Sequence, residues 1–131
     1  MVIDTSALLA ILLREPLAES IATAIEAGSP RLLSAANLLE ASIVVESRKG
    51  DAGGRELDLL VYRSSIEIVP VDQQQIELAR AAWRRFGKGR HAAALNYGDC
   101  FAYALAKHRR VPLLFCGADF ARTDVDCMPR G

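Results

Sequence analysis

A chain of 131 residues, 51% hydrophobic, 24% charged and 6% aromatic, has material for one domain around a well-filled core and too little for two ordinary ones. That composition excludes a disordered chain, and the longest apolar run, Ala7 to Leu13, stops at Arg14, far short of the roughly 20 residues of a membrane span. Sixteen Lys and Arg balance sixteen Asp and Glu, yet residues 1–77 carry twelve acids against six bases and residues 78–131 four against ten, which leaves room for one basic face.

Met1-Val2-Ile3 predicts a short strand that passes through Asp4-Thr5-Ser6 into a helix over Ala7 to Leu13. A second helix starts at Pro16, with Leu17, Ile21 and Ile25 at one-turn spacing, and Gly28 closes it. Arg31 to Ser34 predicts a strand, and Ala35 to Lys49 a helix that Gly50 stops. Gly53-Gly54 is expected to open the next helix, running to about Ser65. Ile66 to Val71 alternates as a strand does, and Asp72 can cap a helix ending at Phe86, with Trp83 on its core-facing stripe. After the loop Gly87-Lys88-Gly89-Arg90, Gly98-Asp99 is expected to begin a helix over Cys100 to Arg110. Pro112 to Phe115 predicts a buried strand and Val125 to Met128 a last one.

Strands alternate with helices over residues 1–131 without a repeat or linker. The order predicts one α/β domain, with a central, mostly parallel, twisted sheet of about four to five strands flanked by helices. Ligands of such sheets gather outside the carboxyl ends of the strands. Cys100, Cys116 and Cys127 are odd in number and widely spaced, so neither a disulfide framework nor a CxxC zinc pattern is present. They are expected to be small buried hydrophobes in a reducing cytoplasm, the more so as the start Met-Val-Ile-Asp has neither the basic segment nor the cleavage site of a secretory leader.

Four acids stand where the pattern does not ask for them. Asp4 follows the first strand, either as a helix cap or as a group pointing into the ligand crevice. Glu40 has Ala36, Ile43 and Val44 as helical neighbours and so interrupts an apolar stripe, unless it reaches solvent from the edge. Asp99 is the lone acid among eight bases between Leu78 and Ala118, and is also a possible cap. Asp119 follows the strand Leu113 to Phe115 and the turn Cys116-Gly117-Ala118, where Asp is common. Together they converge on one rim of the predicted sheet, and like charges so placed repel unless a cation lies between them. Oxygen donors without paired Cys or His select a hard ion, Mg²⁺ or Mn²⁺, and such ions activate water for attack on a phosphodiester.

The segments Val2-Ile3-Asp4-Thr5-Ser6-Ala7-Leu8, Leu95-Asn96-Tyr97-Gly98-Asp99-Cys100 and Leu113 to Phe120, with Glu40 between them, resemble a PIN-domain ribonuclease of the VapC toxin type. The resemblance implies a Mg²⁺-dependent endoribonuclease, the toxin of a type II toxin–antitoxin pair, neutralised by a cognate VapB-type antitoxin and assembled as a homodimer. It implies that Asp4, Asp99 and Glu40 bind metal, with Asp119 as the fourth acid and Asp124 in reserve, because Gly117 stands where many members carry an acid. Ser6 either orients a water or caps the helix.

Lys88, Arg90 and Arg85 are candidates to follow an RNA backbone, the alternative being a solvated helix face. Two rival functions stay open. A PIN-like domain could bind RNA or a partner without cutting. A receiver-like Mg²⁺-binding signalling module would use similar acids, although it would be expected to pair acids after the first strand and place a Lys after a late one.

Overall fold

Successive residues of a strand face opposite sides of a sheet, and this alternation sorts the core into two layers. In the structure, a computed structural model describing residues 1–129, Val2, Leu32 and Leu113 enter one hydrophobic cluster while Ile3, Leu33 and Leu114 enter the other. The strands are β1 (Val2–Ile3), β2 (Leu32–Ser34), β3 (Glu67–Val69) and β4 (Leu113–Leu114). They are all parallel, in the order β3-β2-β1-β4, with Val2 opposite both Leu32 and Leu113. The first strand therefore lies in the middle, and its carboxyl end opens at the centre of the rim.

Helices α1 (Thr5–Leu12), α2 (Ala18–Ala27), α3 (Ala35–Lys49) and α4 (Asp51–Arg63) supply the cluster around Ile3 and Leu114. Helices α5 (Gln73–Phe86) and α6 (Tyr97–Arg109) cover the opposite face through Ala79, Ala82, Phe86, Ala102 and Leu105. The caps follow local chemistry: the Ser34 and Asp72 side chains accept from the Ala36 and Gln75 N–H groups at the starts of α3 and α5. Gly50, at φ +65°, links α3 directly to α4. Lys49 pairs with Glu56 at 3.0 Å and donates to the Leu12 carbonyl, so it ties α4 and α1 to the end of α3.

The α/β class and parallel sheet are as expected, and several boundaries differ. Gly53 and Gly54 lie inside α4 instead of opening it, because α4 crosses α3 closely; a Cβ on Gly53 would sit 2.5 Å from the Val45 carbonyl oxygen. Helix propensity favours Ala over Gly by about 1 kcal/mol, whereas overpacking against backbone costs about 1–3 kcal/mol. Gly53→Ala is therefore expected to destabilise the fold by up to about 2 kcal/mol in urea denaturation; a rise in stability would show that the helices can part without cost. Val125 to Met128 forms only a single bridge, Leu113 to Cys127, beside β4. Trp83 is 46% exposed because the buried stripe of α5 runs through Gln75, Ala79, Ala82 and Phe86 and leaves it to one side. Of the three thiols only Cys100 is buried; Cys116 is intermediate and Cys127 exposed.

Candidate active site

Asp4 joins β1 to α1. It is the N-cap of α1, its Oδ2 accepting from the Ser6 N–H at 3.0 Å, and it is only 3% exposed where β1 ends. Burial pushes its carboxyl up to about 7 against the opposing hydrogen bonds of Ser6, and the charges of Asp99 and Glu40 add to the rise. Ser6 is not the helix cap. Its Oγ accepts the Cys116 N–H at 2.9 Å while its backbone N–H donates to Asp4, so the residue links the end of β4 to the first acid.

Glu40 approaches from α3. The expectation that it breaks a core stripe is not met: the buried stripe of α3 is Asn37, Ala41 and Val45, and Ile43 is 57% exposed. The carboxylate is nonetheless fixed. Glu40 Oε1 accepts from Thr5 Oγ1 at 2.5 Å and from Asn37 Nδ2 at 3.2 Å. The Gly98 backbone lies so close that a Cβ there would collide with Glu40 Oε2. Sequence reasoning missed Asn37, Thr5 and Gly98. The available clue was an Asn at four-residue spacing with Ala41 and Val45, an amide on a face that proved to be buried.

Asp99 is held by a reciprocal capping box. Its Oδ2 accepts from the Asn96 N–H at 3.0 Å, while Asn96 Oδ1 accepts from the Asp99 N–H at 2.9 Å. The helix starts at Tyr97, slightly before the expected Gly98-Asp99, because Asn96 is the cap. Burial raises the Asp99 carboxyl to about 6, and Asp119 and Glu40 push it further in the same direction. Asp119 is exposed, follows Gly117 at φ +98° and makes no side-chain cap to the 3₁₀ turn Phe120–Arg122. Asp124 is placed elsewhere. It accepts from the Tyr103 hydroxyl at 2.5 Å and from Lys107 at 3.2 Å, and it pairs with Arg85 at 3.4 Å.

The basic candidates separate in the same way. Arg85 is engaged by Asp124 and stacks 4.7 Å from the Phe86 ring centroid. Lys88 is exposed, in a loop whose Gly89 needs φ +83°, and Arg90 lies 4.7 Å over the Trp83 ring. Gly87 serves packing, since a Cβ there would strike the Trp83 backbone.

Four carboxylates thus come from β1–α1, α3, α6 and the segment after β4, with Asp4 coupled in charge to Asp99 and Glu40, and Asp99 to Asp119 and Glu40. Among the described residues no Lys, Arg or His forms an ion pair with any of the four. Nor do three of them already close on one preformed coordination point. Oxygen donors, mutual repulsion and the missing counter-charge fit a hard divalent cation. Fold and acids together define an α/β domain with an acidic rim at the carboxyl ends of a parallel sheet, the place where ligands of such sheets bind.

The chain belongs to the PIN-domain family, whose model matches residues 1–126, and its relatives there are VapC ribonucleases. It is 58% identical over 125 residues to Ribonuclease VapC of Mycolicibacterium smegmatis, covering 95% of this chain and 97% of that one. It is 55% identical over 125 residues to Ribonuclease VapC30 of Mycobacterium tuberculosis, covering 95% of each. The fold matches M. tuberculosis VapC20, described as a Sarcin-Ricin loop cleaving toxin, with a TM-score of 0.76 at 14% identity over 95% of both chains. It also matches a toxin–antitoxin complex from Klebsiella pneumoniae with a TM-score of 0.72 at 19% identity, covering 98% and 96%. Members of this family depend on a divalent metal.

Proposed function

We propose that this chain, an endoribonuclease of the VapC toxin type, hydrolyses RNA at the crevice of Asp4, Glu40, Asp99 and Asp119, with Mg²⁺ as the ion they hold and Mn²⁺ as its substitute. The observation that carries this reading is the convergence of four oxygen-donor acids without a basic partner, two of them raised to about 7 and about 6. When bound, the cation supplies a counter-charge, an acidified water and stabilisation of the charge that develops on phosphate. Asp4 and Asp99 hold their carboxylates at the N-termini of α1 and α6, where the helix dipoles also favour an approaching phosphate. Glu40 is braced through Oε1 by Thr5 and Asn37, beside the Gly98 turn that leads into Asp99. Ser6 keeps the β4 end, and with it the segment leading to Asp119, against Asp4.

Purified protein incubated with RNA in Mg²⁺ or in EDTA tests the reading. Internal cuts with Mg²⁺ alone support it. Binding without cuts favours the silent PIN-like domain, and uptake of a phosphoryl group from a small donor would favour the receiver-like module. The exposed Lys88 and Arg90 are assigned to the RNA backbone, with Arg85 a lesser contributor because Asp124 already engages it. Neutralising Lys88 and Arg90 together is expected to lower the salt dependence of RNA binding by roughly 0.7 in slope for each phosphate that they neutralise in the wild type. An unchanged slope removes them from the interface.

The partner proposed is a cognate VapB-type antitoxin, supported by kinship to VapC ribonucleases and to the toxin–antitoxin complex. A homodimer is proposed with it. The apolar groove of about 500 Å³ between α5 and α6, bordered by Ile76, Trp83, Tyr97 and Phe101, supports an interface there. Among the described residues no helix is long and apolar enough to cross a membrane, and the cytoplasm is the compartment proposed.

A further inference from the structure

Asn37 lies one turn before Glu40 on α3 and is fully buried. Its Nδ2 gives one hydrogen to Glu40 Oε1 at 3.2 Å and the other to the Gly98 carbonyl at 3.0 Å, in the turn of α6 that carries Asp99. Both partners are acceptors, so only this orientation of the amide satisfies them. The opposite end, Asn37 Oδ1, is buried with no hydrogen-bond partner among the described residues. A residue that only filled space here would be apolar and would leave no such atom stranded. Thr5, adjacent to Asp4, grips the same Glu40 oxygen at 2.5 Å from the other side. One carboxylate oxygen is therefore anchored both to the β1–α1 corner and, through Asn37, to the first turn of α6.

We infer that Asn37 is a positioning residue that sets the spacing of Glu40 and Asp99 by pinning α3 to α6, so that acids from two separate helices meet one cation. Thr5 shares the load on Glu40, and Gly98 leaves room for the approach. This inference rests on Glu40 belonging to the proposed metal-holding set. Asn37 touches neither substrate nor ion; it acts through Glu40.

The test uses Mn²⁺ as the probe, with free ion read by electron paramagnetic resonance during titration into the whole chain. Asn37→Ala, Glu40→Gln and the double variant are compared after circular dichroism confirms folding. Asn37→Leu, which fills the site and strands no acceptor, serves as the second Asn37 variant in case the cavity left by Ala unfolds the chain. Glu40→Gln is expected to weaken Mn²⁺ binding, and either Asn37 variant to weaken it by roughly tenfold, the lower end of the range for groups that orient metal ligands. The double variant is expected to bind no more weakly than Glu40→Gln, since nothing remains to be positioned. Thr5→Val is expected to follow the same pattern, and Thr5→Ser to restore binding. Normal affinity in the Asn37 variants beside a weakened Glu40→Gln overturns the positioning role, as does a multiplied loss in the double variant. Normal affinity in Glu40→Gln overturns the ligand assignment and the inference with it.

Discussion

Asp99→Asn is expected to lower metal-dependent RNA cleavage by about 10³-fold or more while the metal-free protein at neutral pH melts no lower than the wild type, since a raised, repelled carboxylate is removed. The two outcomes separate because Asp99 has two jobs. Its Oδ2 accepts the Asn96 N–H in the capping box, and an Asn at the same place still offers an acceptor oxygen. What disappears is the negative charge. Asp99→Ala would be a poorer probe, since loss of a capping group alone costs roughly 1 kcal/mol and blurs folding with catalysis. Cleavage rates at saturating Mg²⁺, measured beside melting curves, decide the matter. A variant that cuts at the wild-type rate would remove Asp99 from the site.

The metal-free protein is expected to lose stability as pH rises from about 4 to about 7, the reverse of the behaviour of a paired carboxylate. Burial and neighbouring acids raise the Asp4 carboxyl from 3.8 to about 7 and that of Asp99 from 3.8 to about 6. Between the unfolded and folded values the native state therefore holds more protons than the unfolded one. Raising the pH strips those protons at the expense of the fold, and the loss levels off above about 7. For Asp4 the rise from 3.8 to about 7 corresponds to an effect on the order of 4 kcal/mol. Asp4→Asn retains an acceptor for the Ser6 N–H and should flatten most of the slope, so the inactive variant is expected to be the more stable protein at pH 8 in EDTA. Added Mg²⁺ should stabilise the wild type and close the gap. Thermal melts from pH 4 to pH 8, with and without Mg²⁺, measure this; metal-free stability that climbs through that window would contradict the repulsive cluster.

The sequence announces its elements best where a cap and a stop bracket a helix. Ser34 and Gly50 define α3, and Asp72 and Gly87 define α5, with the expected ends at Lys49 and Phe86. It announces them poorly where several residues compete for one role. Asp4, Thr5 and Ser6 can each cap, and only the packed structure assigns the cap to Asp4, the Glu40 contact to Thr5 and the β4 brace to Ser6. Gly53-Gly54 has the look of a break, yet there glycine answers to the neighbouring helix. Asp4, Asp99 and Asp119 stood out by their positions beside strand and helix ends, whereas Glu40 stood out for a stripe that the packing does not form, and the family resemblance grouped the four. Asn37 was not, because its significance lies in a carbonyl 61 residues away.

The passage from β1 to α1 has no slack. Val2 and Ile3 are committed to opposite layers, Asp4 is at once the end of the strand and the cap of the helix, and Thr5 is already helical. An inserted or deleted residue here would reverse which layer each strand residue enters, or swing the first acid off the rim. The connection from Gly87 to Asn96 is pinned at its ends by the Gly87–Leu95 bridge and by the buried Ala93 and Leu95, and only its exposed tip, residues 88–92, is under no such constraint of length. Variation in length among relatives should therefore gather in that tip, where a change in reach would leave the acids of the rim undisturbed.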